Sequence, residues 1–290
     1  MAGEQLGPAL PFELQPEPSS WRATVAAALT NAALLLALAF VLFPIVWLVQ
    51  ISLRPDNDAL GYQLLFRPTL DHYRALFESQ FLRSFLNSVI SSGLSTFVAL
   101  VVGTPAAYVM CRWRFRARGA IAMWILSTRM APQIAFTIPF FLAFRQIGLL
   151  DTVWGLSIIY LTFNLALVIW MMQSFFESVP ISLEEAARID GCGMWSAFLR
   201  ITLPLTAPGM AATAVLCFIF SWNDFFYALI LTRTNAMTAP VAIINFMQYE
   251  GWEWGKMAAG GTLVMLPVIV FTVLVRKWLV SGMIAGSVKD

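Results

Sequence analysis

A chain of 290 residues with 59% hydrophobic and 12% charged side chains and a mean hydropathy of +0.75 lies outside the soluble class, in which about a quarter of residues are charged. The net charge of +2, with arginines scattered over several loops, excludes a basic nucleic-acid-binding face. Three distant cysteines, Cys111, Cys192 and Cys217, with no CxxC, give neither a disulfide framework nor a metal knuckle.

What remains is a polytopic membrane protein. Its first 20 residues hold four prolines and three glutamates without a basic residue. That composition predicts a disordered tail over 1–24, not a signal peptide, whose start would be positively charged. From Arg22 to Arg54 no charge intervenes. The apolar stretch from Val25 to Ile51 exceeds the roughly 20 residues that cross a bilayer, and Pro44 is its expected bend. Five further spans follow: Ser84 to Cys111, Ala120 to Phe144 with Arg129 inside, Val153 to Phe176, Leu205 to Leu231 with Asp224 inside, and Met257 to Val275. The reading is a six-helix membrane domain over 25–280 and a short tail over 281–290. No internal repeat is visible.

Six spans place both termini on one side. Arg112, Arg114, Arg116 and Arg118 crowd the loop after the second span, and the positive-inside rule makes that side cytoplasmic. The inner side then collects ten Lys and Arg residues against seven outside. Both termini and the stretch 182–204 fall on the inner side.

Two outer loops are long. In 52–83, Phe77, Phe81 and Phe85 recur at every fourth position, predicting an interfacial helix that leads into the second span. His72, the sole histidine, reads as a solvated loop side chain, since nothing near it could share a metal. Loop 232–256 carries Tyr249, Trp252 and Trp254, the residues of an aromatic belt at the headgroup boundary, in preference to a sugar-stacking platform.

No reactive constellation appears. The nearest approach to a phosphate loop, Gly251 to Met257, has three residues between its glycines where four are needed, and Met257 where Ser or Thr must bind Mg²⁺. There is no GxSxG, no HExxH and no intramembrane aspartate pair, so an enzyme with its own catalytic residues or cofactor is not expected. Two charges lie inside spans, where they are expensive and normally face a bundle interior or a wet cavity. Arg129, just before Pro132, is expected to clamp carbonyls freed by Pro132 and Pro139, with substrate contact as the alternative. Asp224, with Trp222 and Asn223 beside it, is a candidate pathway group.

The stretch Ser182 to Pro204 is polar enough to be wet. Ser182 and Glu185 have the spacing of a capping box for a helix starting at Leu183. Gly191 can take the left-handed conformation that ends it. Beyond that break Met194, Ala197, Phe198 and Ile201 recur on one helical face, and Leu203 and Pro204 end the run.

Glu185-Ala186-Ala187, three residues, Gly191, nine residues, then Ile201-Thr202-Leu203-Pro204 resembles the EAA loop of permease subunits of binding-protein-dependent ABC importers, and it lies between the fourth and fifth spans as in that family. The resemblance extends over nearly all the chain after the tail: Ser52-Leu53-Arg54, Thr69 to Tyr73, Asn87-Ser88, Gly148 to Thr152, Trp222-Asn223-Asp224 and Ala239 to Ala242 look like the shorter, six-span subunit of maltose-type carbohydrate and polyol permeases. It implies an all-α membrane protein of six transmembrane helices, with the type I ABC importer permease fold and a cytoplasmic coupling helix. It further implies a role in sugar or sugar-alcohol import through the bacterial inner membrane. The implied partners are a second permease, a pair of cytoplasmic ATPase subunits that hold ATP and Mg²⁺, and an extracytoplasmic solute-binding protein. Glu185, Ala186, Ala187, Gly191, Ile201, Leu203 and Pro204 become the ATPase-coupling residues, with Glu185 either touching the ATPase or only capping its own helix. The loop 232–256 matches the position of the segment that probes the binding protein's cleft in maltose-type permeases. Gly282 to Asp290 looks like the family's ending, which approaches the ATPase pair.

The competing class is a secondary transporter driven by an ion gradient. Such proteins usually show repeats and several intramembrane ionisable groups; this chain has two such groups and no repeat.

Overall fold

A computed structural model of the protein describes residues 20–55, 61, 66–248 and 251–287. Residues 1–19 of the expected tail, Tyr249 and the last three residues lie outside this set. Thirteen helices are described: α1 (Ser20–Ser52), α2 (Asp71–Glu78), α3 (Phe81–Arg112), α4 (Arg118–Met130), α5 (Gln133–Gln146), α6 (Val153–Glu177), α7 (Ile181–Ile189), α8 (Met194–Ala197), α9 (Leu203–Leu205), α10 (Ala207–Trp222), α11 (Phe226–Leu231), α12 (Ala239–Ala242) and α13 (Trp254–Ser287). The strands β1 (Met247–Gln248) and β2 (Gly251–Trp252) form a two-residue antiparallel hairpin. The chain divides into a unit ending at Trp47 and a unit from Leu48 onward. The described residues of the first form an apolar helix containing Pro44. All site residues belong to the second.

Four helices are long and apolar enough to cross a membrane, and the count reaches six if each of two bent pairs forms one span. The predicted third span, Ala120 to Phe144, is one such pair, with α4 and α5 meeting at 90°. Ala131 precedes Pro132, and the proline ring pushes the residue before it into extended backbone (φ −65°, ψ 130°). The predicted fifth span is also interrupted. α10 stops at Trp222, and α11 begins at Phe226. The predicted tail from 281 is helical to Ser287.

The second unit is built on α3 lying along α6. One face of α3 buries Ser84, Ser88, Ser91, Ser95, Ala99, Gly103 and Ala107, at the three- and four-residue spacing that shares a helical face. Lipid tails are as apolar as leucine, so helices in a bilayer associate by close van der Waals packing and interhelical hydrogen bonds, and small residues permit both. A Cβ on Gly103 would stand 2.8 Å from a Val168 methyl group on α6. Fully buried Asn164 of α6 donates to Ser95 Oγ of α3 (3.0 Å) and Ser221 Oγ of α10 (2.8 Å), which joins three helices at one amide.

Described residues of the two long loops make tertiary contacts that their composition does not suggest. His72 is buried, not solvated: it sits on α2, bonds the Arg54 carbonyl through Nε2 (2.7 Å), and its ring occupies the space where any side chain at residue 255 would go, so only Gly255 fits. The aromatic stripe splits, because α2 and α3 break at Ser79 and Gln80. Phe81 is then buried while Phe77 is exposed.

A connection that no local pattern announces joins the α5–α6 turn to the loop after α11. Asp151 has left-handed backbone (φ 55°). Its carboxylate accepts from the backbone amides of Arg233 (2.8 Å), Thr234 (3.3 Å), Asn235 (3.0 Å) and Ala236 (3.0 Å). Partial burial alone would raise this carboxyl's pKa; the four amide dipoles outweigh it and hold it below the usual carboxylate value. A depressed folded pKa contributes stability above the unfolded value near 3.9, and that contribution is lost as pH falls through the folded pKa. Asp151→Ala is therefore expected to lower stability by about 1 kcal/mol at neutral pH, a modest loss because the freed amides can turn to water. In thermal unfolding of detergent-purified protein, the gap between variant and parent should close on acidification below the folded pKa.

Candidate functional site

The Ser182 to Pro204 stretch folds as a helix, a glycine hinge and a second helix, but its anchoring differs from the expected capping box. α7 starts at Ile181 with Pro180 at its N-cap, and no side chain caps it. Pro180 has extended backbone (ψ 131°), which sets the entry without needing Ser182. Glu185 faces outward.

The buried carboxylate is its neighbour, Glu184. Tyr108 donates its hydroxyl to Oε2 (2.7 Å). Arg112 reaches Oε1 through Nε (2.9 Å) and Nη2 (2.8 Å), and Thr202 Oγ1 donates to the same oxygen (2.9 Å). Arg112 Nη2 also donates to the Val179 carbonyl just after α6 (2.9 Å). The acid and base side chains are 9% and 10% exposed, so each needs the other to leave water. Around them the Tyr108 ring packs on Phe198 (centroids 4.4 Å apart), Trp113 and Phe176 (both 5.6 Å).

Gly191 performs the predicted stop. With φ 90° it lies in the left-handed region, and its N–H bonds the Arg188 carbonyl (3.1 Å) while the Cys192 N–H bonds that of Ala187 (2.9 Å). These two bonds are the Schellman closure of a helix end. A Cβ here would meet no atom within 4 Å, so the glycine is required by backbone conformation alone.

Beyond the hinge, Ala197, Phe198 and Thr202 form the buried face, while Met194 is exposed and Ile201 half-buried. The reason is a π-helical turn over Phe198–Thr202, where the Leu203 N–H bonds the Phe198 carbonyl. Leu203 and Pro204 do not end the run; they form α9, and the chain bends 74° at Thr206 before continuing as α10. Pro208 sits in the first turn of α10, where its missing N–H breaks no helical bond. Of the motif residues, Ala187 is turned into the protein, whereas Glu185 and Ala186 lie on the outward face with Leu183 and Ile189. Ile189 is 86% exposed. A cavity of about 250 Å³ beside the ion pair is lined by Glu185, Arg188 and Met194 among others.

The residues expected to form a substrate pathway are not brought together. Trp222 is a packing residue: its indole is buried, donates to the Val264 carbonyl of α13 (3.0 Å) and stacks on Phe218. The pattern Trp-Asn-Asp conceals this because the helix ends there and aims successive residues in different directions. Asn223 is exposed. Asp224 is buried and accepts from the Ala228 amide (3.2 Å), which anchors the start of α11. Arg129 is exposed in the last turn of α4, with its guanidinium 5.1 Å from the Phe220 ring centroid. Among the described residues it bonds no carbonyl, so the expected clamp is replaced by a cation–π contact: α4 ends at Met130 and directs the side chain toward α10. It also lines a cavity of about 320 Å³ with Trp170 and Ser174 of α6.

These placements separate two neighbouring acids by stability. Arg112→Ala, which leaves Glu184 charged and buried, is expected to cost about 3–5 kcal/mol. Glu185→Ala should stay within about 0.5 kcal/mol of the parent, as surface changes do. Denaturant or thermal unfolding of the two purified variants measures the contrast.

Comparison with known proteins gives this arrangement its relatives. The family described as binding-protein-dependent transport system inner membrane component matches residues 99–284. The chain is 38% identical to the trehalose transport system permease protein SugB of Mycobacterium tuberculosis, over 88% of this chain and 94% of that protein. It is 33% identical to the trehalose/maltose transport system permease protein MalG of Thermococcus litoralis, over 86% and 91% of the two. A crystal structure of a bacterial ABC transporter involved in the import of the acidic polysaccharide alginate superposes with a TM-score of 0.75 at 26% identity, covering 90% of this chain and 99% of that one. A membrane protein built mainly of helices, with a helix–glycine–helix element anchored between its spans, this chain belongs to the inner membrane components of binding-protein-dependent transport systems.

Proposed function

We propose that this chain is the membrane-spanning subunit of an ATP-driven importer for a sugar or sugar alcohol. It forms the translocation path with a second permease. A pair of cytoplasmic ATPase subunits holds ATP and Mg²⁺, and an extracytoplasmic solute-binding protein delivers the substrate. The observation that carries the reading is the division of labour within α7. One face is tied into the membrane helices through Glu184, and the opposite face leaves Leu183, Glu185, Ala186 and Ile189 exposed. Small Ala186 permits close approach of a partner, Ile189 offers apolar area, and Glu185 offers a charge to be paired. The arginine-rich loop supports a cytoplasmic location for this face. The transport names of the trehalose and maltose relatives support a carbohydrate substrate. Asn223, Asp224 and Arg129 are retained as pathway candidates.

Two substitutions test the coupling face. Gly191→Pro forces φ to about −65° where the hinge needs 90°, and Glu185→Lys reverses the charge offered to the partner. Both are expected to leave the protein in the membrane and lower ATP-dependent uptake of trehalose or maltose about tenfold or more, with transport-stimulated ATP hydrolysis falling in parallel. Uptake that survives ATP depletion and follows an imposed ion gradient would overturn the reading.

A further inference from the structure

We infer that Glu184 is a positioning residue for energy coupling: its ion pair with Arg112, braced by Tyr108 and Thr202, makes α7 move as one body with the inner ends of α3, α6 and α10. The inference rests on the importer reading and adds to it the joint through which a push on α7 reaches the spans.

Connectivity supplies the first argument. A helix of nine residues joined to the next element through a left-handed glycine would pivot about Gly191 when pushed on its exposed face. The chain itself transmits little of that push. Glu184 removes this freedom by binding residues of separate elements at one carboxylate: Tyr108 and Arg112 one turn apart on α3, and Thr202 in the π-helical turn that leads through α9 into α10. Arg112 extends the connection to the carbonyl of Val179, two residues after α6. The outward residues Leu183, Ala186 and Ile189 are thereby held rigidly to three membrane helices.

The chemistry supplies the second. A buried ion pair is a poor way to gain stability, since well-packed apolar residues of similar volume often do as well or better. Apolar packing resists separation but permits sliding. A carboxylate that takes Arg112 Nε and the Thr202 hydroxyl on Oε1 and the Tyr108 hydroxyl on Oε2, through directed and partly charge-assisted hydrogen bonds, fixes distance and angle together. That restraint suits a joint that must transmit rotation in both directions.

The test uses the complete complex with its ATPase subunits in proteoliposomes. Nitroxide labels replace exposed Ser182 on α7, outside the docking residues, and exposed Val102 on α3, in a chain whose three cysteines are changed to serine. The distance between labels should stay unchanged when ATP and vanadate are added to the parent. It should broaden or shift on that addition in Glu184→Gln, which keeps side-chain size but loses the charge, and in the milder Thr202→Val. Uptake of trehalose or maltose per ATP hydrolysed should fall roughly tenfold in Glu184→Gln, the scale of a typical coupling free energy. Arg112→Lys, which keeps the charge, should fall between parent and Glu184→Gln. A label distance that changes with nucleotide in the parent overturns the inference. So do variants that keep both the narrow distance and the parental uptake per ATP. A parent chain that recruits no ATPase defeats the importer reading itself, and the joint with it.

Discussion

The arrangement of this protein around α7 depends on one carboxylate removed from water. Glu184 is tolerable at that depth only because a guanidinium and two hydroxyls converge on it. Those donors come from α3 and from the turn entering α10, so satisfying the charge fixes where these elements and α7 lie relative to one another. The aromatic ring of Tyr108 packs on Phe198 and Phe176 while its hydroxyl serves Glu184. One residue thus belongs to both the polar and the apolar parts of the same cluster.

The same requirement to satisfy polar groups without water runs through the membrane helices and the outer loops. The Asn164 amide nitrogen meets it between α3, α6 and α10 by donating to two serines. Asp151 meets it in the α5–α6 turn by collecting backbone amides of the loop after α11. His72 meets it by bonding the Arg54 carbonyl against Gly255. Each joins segments far apart in sequence, and together with the Glu184 cluster they give the second unit specific polar contacts at both ends and in its middle. Between them the small-residue face of α3 provides close packing that apolar bulk could not.

Function follows from which groups remain exposed. The outward face of α7 presents Glu185, Ala186 and Ile189, and the sequence carries no nucleotide-binding motif. On the importer proposal, that face is where a partner protein drives the chain. The hinge at Gly191 shapes the element, and the buried pair gives it purchase on the spans. The broken helices α4–α5 and α10–α11 place Arg129 and Asp224 near interruptions of regular backbone, where freed polar groups require protein or water around them.

Much of this is legible in the amino-acid sequence alone. Hydropathy marks the apolar stretches, because a bilayer's thickness sets their length. The glycine hinge and the EAA pattern are readable because each requires a specific residue type at a specific spacing. What sequence does not decide is direction. Glu184 and Glu185 are adjacent and chemically identical, yet helical geometry turns one into a cluster formed by Tyr108, Arg112 and Thr202 and the other outward. Arg129 and Trp222 are recognisable as unusual, but their partners, Phe220 and the Val264 carbonyl, depend on where α4 and α10 end and what packs beside them. Composition and spacing determine that the chain spans a membrane and carries a hinged element of a known kind. Only the tertiary structure chooses which carboxylate anchors that element, because burial of a charge is decided by donors that lie 18 to 76 residues away.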